Sequence, residues 1–354
     1  MRREPLLTRP FLLAFAAYFL HSLSFNLFLH LPGFVRSIGA DEVTIGLIYG
    51  ATGLTAVLAR PALGRAMDVY GRRGVFLAGG VLNAVICALY LTVHAPGSWL
   101  YTVRIIHGLA EAMLFTSLFA FAADIVPATR RIEGLAIFGI SGMLPLSLGG
   151  LLGDLLLARW GFAQVFEAAT LLAAVGLALT LPLADAPPAP GAEAAPPRGL
   201  LAAGRQRDLL PLWFIGTVFS TAVAAHFTFL KTYVMTVGFG SVGLFFTLYS
   251  LAAVGLRLVG ASLPDRIGPK RALVPALAVL AAGLWLLATG RSAAAVAAAG
   301  VLCGLGHGYT FPILLGMVVS RARPAERGAA LAIFTALYDL GSLIGSPVLG
   351  LVIR

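Results

Sequence analysis

The chain has 354 residues, 59% of them hydrophobic and 11% charged, with a mean hydropathy of +0.92. Soluble domains carry about 25% charged residues, so this composition excludes a mainly water-exposed surface and requires lipid to cover most of it. The net charge of +10 does not point to nucleic acid. The basic residues recur in short clusters between apolar runs, as they do in the cytoplasmic loops of membrane proteins.

A membrane-crossing helix needs about 20 mostly apolar residues. In chain order the apolar runs predict eleven spans: 11–35, 43–64, 74–94, 98–126, 132–157, 162–183, 209–237, 241–263, 271–290, 293–320 and 328–353. Arg2 and Arg3 before the first run imitate a signal peptide, but no small-residue cleavage site follows, so it reads as a retained first helix. A Pro- and Ala-rich stretch after the sixth span reads as a linker. The expected organisation is an N-terminal bundle of six spans (1–185), a cytoplasmic linker (186–208) and a C-terminal bundle of five spans (209–354). Cys87 and Cys303 each lie within an apolar run and read as small core residues. No metal-ligand spacing or disulfide framework is visible.

Lys and Arg set the orientation. One set of loops holds Arg2, Arg3 and Arg9; Arg65, Arg72 and Arg73; Arg130 and Arg131; Arg198, Arg205 and Arg207; Arg266, Lys270 and Arg271; and Arg321, Arg323 and Arg327. The opposite set holds Arg36, Arg159 and Arg291. This bias predicts a cytoplasmic N-terminus.

The two halves repeat. Arg60, Gly64, Asp68 and Gly71 recur as Arg257, Gly260, Asp265 and Gly268, at an offset of 196 or 197. The tetrapeptide LAIF at 135–138 recurs at 331–334, and His107-Gly108 recurs as His307-Gly308 at an offset of 200. Two parallel repeats joined by a linker are a common transporter plan, with the substrate site at their interface. The repeat leads one to expect a twelfth helix after Arg354. Either the chain is truncated or the protein works without that helix.

Residues 64–74, GRAMDVYGRRG, resemble the signature loop of the major facilitator superfamily, G-x-x-x-D-x-x-G-R-[RK], through Gly64, Asp68, Gly71, Arg72 and Arg73. The loop lies between the second and third spans, as in that family. A degenerate copy keeps Gly260, Asp265 and Gly268, with Pro269 in place of the first basic residue. The resemblance implies an all-α membrane protein with the major facilitator fold: two six-helix-type bundles with the last helix missing. It implies a gating loop in which Asp68 faces the start of the eleventh span, near Gly328. That end of a helix is positive, so the contact would hold the cytoplasmic side shut.

Polar residues inside apolar spans are the candidate site. Arg104 and Gly108 resemble the family's R-x-x-x-G pattern, and Arg104 is associated with proton transfer in proton-coupled members. A charge within a span must be paired or wet, so Arg104 is expected to face the bundle interior. Glu111, seven residues on, lies on roughly the same helix face. Gly134, Gly142, Gly149 and Gly150 loosely match the family's exporter and antiporter pattern, with Pro145 displaced. Further candidates are Asn26 in the first span, His226 and Lys231 in the seventh, and Asp339 in the eleventh, where a buried carboxylate must be protonated or paired. His21 and His30 read as structural, and Asp124 as part of the gate.

The leading expectation is a monomeric, proton-coupled exporter of a small organic solute, multi-pass in a bacterial inner membrane, without cofactor, metal or nucleic acid. A proton-coupled importer of a nutrient or organic anion, held by Arg104 or Lys231, is the alternative within transport. A non-transporting receptor on the same scaffold is a third reading. An enzyme is disfavoured because the sequence has no H-E-x-x-H, Walker loop or nucleophile elbow.

Overall fold

The computed structural model describes residues 4–185 and 199–352. Most of the linker, residues 186–198, lies outside them, with its Arg198. Among the described residues the chain forms fourteen α-helices and no strand. They are α1 (Arg9–Asn26), α2 (Leu31–Ser37), α3 (Glu42–Leu89), α4 (Ser98–Ile125), α5 (Arg131–Phe138), α6 (Ile140–Arg159), α7 (Phe162–Thr180), α8 (Leu200–Gly204), α9 (Leu210–Val237), α10 (Val242–Gly260), α11 (Leu263–Ile267), α12 (Pro269–Thr289), α13 (Ala293–Arg321) and α14 (Arg327–Val352).

Local chemistry sets several helix starts. The side chains of Thr8, Asp41, Ser241 and Ser292 accept from the backbone N–H groups of Phe11, Thr44, Leu244 and Ala295. Each satisfies one of the donors that a helix start leaves unpaired.

Ten helical stretches among the described residues are long and apolar enough to cross a membrane. One of them, Gly50–Thr92, runs through most of α3 and the turn after it, and the 48 residues of α3 would extend roughly 70 Å as one straight helix at 1.5 Å per residue. That is more than twice the ~30 Å hydrocarbon core. The helix breaks at Gly71, with φ 83° and ψ 169°, so α3 is two spans joined by a turn, and the stretches make eleven spans. A positive φ strains any residue with a Cβ, and glycine removes that strain. Large apolar residues lie outward on several spans, as with Leu58, Trp285 and Val259. Lipid tails are as apolar as these side chains, so the exposure carries no penalty in a bilayer.

The described residues group into two compact units. The first contains Met1–Ile125, Ser141–Leu201 and Arg323–Ala336; the second contains Val126–Ile140, Ala202–Ala322 and Leu337–Arg354. The first turns of α14 thus belong with the first unit, and α5 with the second. In the first unit a core of Leu27, Phe28, Leu31, Tyr90, Val103 and Phe166 joins the turn after α1, the start of α2, the turn after α3, α4 and α7. Tyr90 and Phe166 stack with ring centroids 5.3 Å apart. In the second, Phe219, Phe245 and Tyr249 are fully buried.

The repeat is visible in the packing. Gly108 on α4 lies against the Thr52 backbone, and Gly304 on α13 lies against the Tyr249 backbone. These pairs correspond at offsets of 196 and 197. The His-Gly recurrence at an offset of 200 is therefore out of register with the packing, in which Gly304, not Gly308, is the counterpart of Gly108.

Candidate functional site

In the first unit, Asp68 is buried at the turn within α3, its side chain 4% exposed. Its Oδ1 accepts from the Gly328 N–H at 2.8 Å and its Oδ2 from the Ala329 N–H at 2.8 Å. Both donors lie in the first turn of α14, so Asp68 acts as an N-terminal cap from a distant part of the chain. Arg72 lies between two carboxylates, 3.4 Å from Asp68 and 3.0 Å from Asp124, and also donates to the Met67 carbonyl. Arg73 donates to the carbonyls of Leu181 and Leu183, just past the end of α7, where the helix dipole favours a cation. The Arg72 and Arg73 backbone N–H groups both donate to Asp185 Oδ1 at 2.9 Å. Gly64 packs against Ala332 and the backbone of Gly328 and Ala329.

The second unit repeats this arrangement. Asp265 accepts from the Ile132 and Glu133 N–H groups at 3.3 and 2.7 Å, in the first turn of α5. Burial raises the Asp265 carboxyl above its ordinary value, against the lowering effect of those two donors. Gly268 takes φ 97° at the corresponding turn. Glu133 also forms a two-pronged ion pair with Arg130, both contacts 2.8 Å.

A cavity of about 230 Å³ lies within the first unit. Its wall comprises Tyr18, His21, Ser22, Phe25 and Asn26 from α1, Asn83 from α3, Glu111, Leu114 and Phe115 from α4, and Gly142 from α6. Asn26 Nδ2 donates to the Ser22 carbonyl at 2.7 Å, and Asn83 Nδ2 donates to His21 Nδ1 at 3.2 Å. The spaced glycines of α6 face α1: Gly142 meets Tyr18, Gly149 meets Asn26 and Gly153 meets His30. Their lack of side chains lets α6 approach the wall of the cavity.

Arg104 and Glu111 are placed differently from the expectation that both face one interior space. Glu111 lines the cavity. Arg104 is 3% exposed, lies outside that lining and donates from Nη1 to Tyr90 Oη at 3.2 Å. The same Tyr90 hydroxyl lies 3.2 Å from His107 Nδ1. Seven residues are nearly two helical turns, enough to put the two charges at different depths although they share a face.

His226 is 1% exposed, and neither ring nitrogen has a hydrogen-bond partner among the described residues. Its ring lies 5.1 to 5.7 Å from those of Phe227, Tyr249 and Phe245. Asp339 is half-buried on α14, beside Tyr338. The Lys231 side chain lies outside the described residues.

Four residues that the sequence did not single out as site residues stand close to these features. Arg60, 2% exposed, donates to Thr116 Oγ1 at 2.9 Å and lies 5.1 Å over the Phe115 ring. Arg257, 1% exposed, donates to the Gly308 carbonyl at 3.0 Å. Both stood out only as repeat markers, although a guanidinium within an apolar run is itself a functional signal. Tyr18 and Asp185 gave no signal, because their importance comes from partners far away in the chain.

The sequence profile described as Major Facilitator Superfamily matches residues 11–346. The chain belongs to this superfamily. It is a multi-pass membrane transporter, and its relatives are transporters. It is 24% identical to the staphylopine export protein of Staphylococcus aureus over 339 residues, covering 92% of this chain and 84% of that one. It is 28% identical to an uncharacterized MFS-type transporter of Pseudomonas aeruginosa over 331 residues, covering 91% and 81%. In fold it is similar to the human organic anion transporter MFSD10 (TETRAN), with a TM-score of 0.80, 23% identity and coverage of 98% and 93%. The Escherichia coli fucose:proton symporter FucP gives a TM-score of 0.79, 16% identity and coverage of 97% and 91%.

Proposed function

We propose that this superfamily member is a proton-coupled exporter of a small organic solute, working by alternating access from a bacterial inner membrane as a monomer with its N-terminus in the cytoplasm. The observation that carries the reading is Glu111, a carboxylate at the wall of a cavity within the spans. A carboxylate within a membrane span must be protonated, paired or wet, so a proton exchanged at Glu111 is a natural coupling ion. Arg104, seven residues earlier on α4, and Tyr90, just after α3, act as a fixed polar pair.

Asp68 supports alternating access. Its bonds to Gly328 and Ala329 join parts of the chain that a transport cycle can separate, and two N–H bonds to one carboxylate make a contact that forms or breaks as a unit. Export is supported by the glycines of α6 packed on α1 and by the likeness to an exporter. Asn26 belongs to the cavity with Glu111; His226, Lys231 and Asp339 are assigned to the second half of the pathway.

The test uses everted membrane vesicles with a respiration-acidified interior and small amines, acids and zwitterions added one at a time. An exported solute enters these vesicles and collapses the pH gradient, and Glu111→Gln abolishes the collapse. Uptake that is undiminished in Glu111→Gln, or uptake confined to right-side-out vesicles, would contradict coupling or direction respectively.

A further inference from the structure

We infer that the second unit binds the carboxylate of a small organic solute at Arg257, beside a cluster of aromatic rings. This deepens the proposed transport function and rests on it, since it names the class of solute that would be carried.

An uncompensated charge is the first argument. Arg257 lies in the last turn of α10 and is 1% exposed. Among the described residues its one hydrogen bond runs from Nε to the Gly308 carbonyl at 3.0 Å, a neutral acceptor. The titratable groups of the described residues within electrostatic reach of it are two phenols, Tyr249 and Tyr338, and the His307 imidazole. No carboxylate is among them. The dipole of α10 favours a cation in its last turn, but it supplies no acceptor for Nη1 and Nη2. A buried charge without a counter-charge is strongly destabilising, and within a membrane span such a residue marks a function. A bound anion supplies the missing charge.

The repeat is the second. Arg60, the counterpart of Arg257, donates to Thr116 Oγ1 at 2.9 Å. At the offset of 196 that pairs Gly108 with Gly304, Thr116 corresponds to Pro312 and Phe115 to Phe311. The second unit thus keeps the arginine and the aromatic ring but has no hydroxyl at the matching place. It keeps room for the guanidinium, because a Cβ on Gly139 would stand 2.5 Å from Nη1. The two Nη groups are left as a fork of donors, the geometry that matches both oxygens of a carboxylate.

The surroundings are the third. The Tyr249 hydroxyl and His307 Nδ1 are hydrogen-bonded to each other. The His307 ring lies 5.2 Å from that of Phe219, and the Tyr338 ring lies 5.9 Å from Phe219 and 5.4 Å from Phe311. These rings suit an aromatic or apolar body on the carboxylate, whereas a cationic solute would meet the guanidinium as a like charge. Arg257 is closed off from water in this conformation, so entry takes the conformational change that alternating access supplies.

The experiment measures thermal unfolding of the purified full chain, by tryptophan fluorescence, with three matched probes: 3-phenylpropanoate, 3-phenylpropanamide and phenethylamine. The carboxylate should raise the unfolding temperature with an apparent Kd at least about tenfold tighter than the amide or the amine, a gap of about 1.4 kcal/mol. Arg257→Gln should erase the preference for carboxylate over amide. Arg257→Lys, which keeps the charge and loses the fork, should weaken the carboxylate by a smaller factor, and it carries the test if Arg257→Gln does not fold. Equal or tighter binding of the amide or amine, no response to the carboxylate, or carboxylate binding unchanged in either variant would each overturn the inference. Flux of 3-phenylpropanoate into everted vesicles separates the two readings. Binding without flux would count against the export reading and leave the carboxylate site standing. Coupled flux of other solutes without carboxylate binding would sink the carboxylate site alone.

Discussion

Asp68 accepts two backbone N–H groups at the start of α14, 260 and 261 residues further along the chain. Charge at a helix N-terminus contributes about 0.3–1 kcal/mol, and up to ~2 kcal/mol when partly buried. Asp68→Asn keeps one acceptor oxygen but removes the charge and turns an NH2 group towards a donor. We expect a loss of about 1–2 kcal/mol, a shift of roughly 5- to 30-fold in the population holding the contact. Amide exchange at Gly328 and Ala329 should accelerate, and solute flux should fall at unchanged protein level. Equal flux and unchanged exchange would contradict a gating role.

Gly71 gives a second residue-scale test. It takes φ 83°, and a Cβ there would strike the Asp185 carboxylate. Gly71→Ala should destabilise by about 1–2 kcal/mol or more, seen as a lower unfolding temperature, whereas Gly74→Ala has open space around it and should not. Asp265 supplies a pH test. Burial holds its carboxyl above the ordinary 3.8. Between 3.8 and that raised value the folded chain retains a proton that the unfolded chain has released. This group therefore makes stability fall as pH rises through the window. Asp265→Asn should remove that part of the slope in a pH series of unfolding temperatures.

At the scale of elements, the contact of α1 with α6 depends on residues too small to obstruct it. A Cβ on Gly149 would lie 2.6 Å from Asn26 Cβ and 2.8 Å from the Asn26 carbonyl carbon, while one on Gly150 would meet nothing within 4 Å. Backbone cannot step aside as a side chain can, so Gly149→Ala must push α6 away from the cavity wall. Overpacking of this kind costs about 1–3 kcal/mol. We expect a lower unfolding temperature and weakened flux in Gly149→Ala and neither in Gly150→Ala.

What the sequence revealed followed from local pattern. The apolar runs announced the spans because a bilayer sets their length, and Asp68 stood out because its glycines and arginines lie within ten residues of it. Glu111 was legible as a charge in an apolar run. The cavity was not, because it depends on Tyr18, Asn83 and Gly142 converging from separate helices, and a single sequence does not carry that convergence. The split between Arg104 and Glu111 was hidden for the same reason: their spacing fixes a helix face, but Tyr90, in the turn just after α3, decides where the guanidinium rests. Asp185 braces the turn from 112 and 113 residues away, with no local signature.

For the whole molecule, the proposed cycle couples a proton on the Glu111 carboxylate to carboxylate-capped helix starts that would break and re-form during transport. The asymmetry of Lys and Arg predicts a cytoplasmic N-terminus, with Asp68 and Asp265 on that side; a reporter joined ahead of Met1 should then be active in the cytoplasm. The most direct measurement is the collapse of the pH gradient of everted vesicles by small amines, acids and zwitterions added one at a time, with vesicles lacking the protein subtracted for passive entry. Proton-coupled export predicts a protein-dependent collapse by an exported solute that Glu111→Gln abolishes. A collapse undiminished in Glu111→Gln would contradict it.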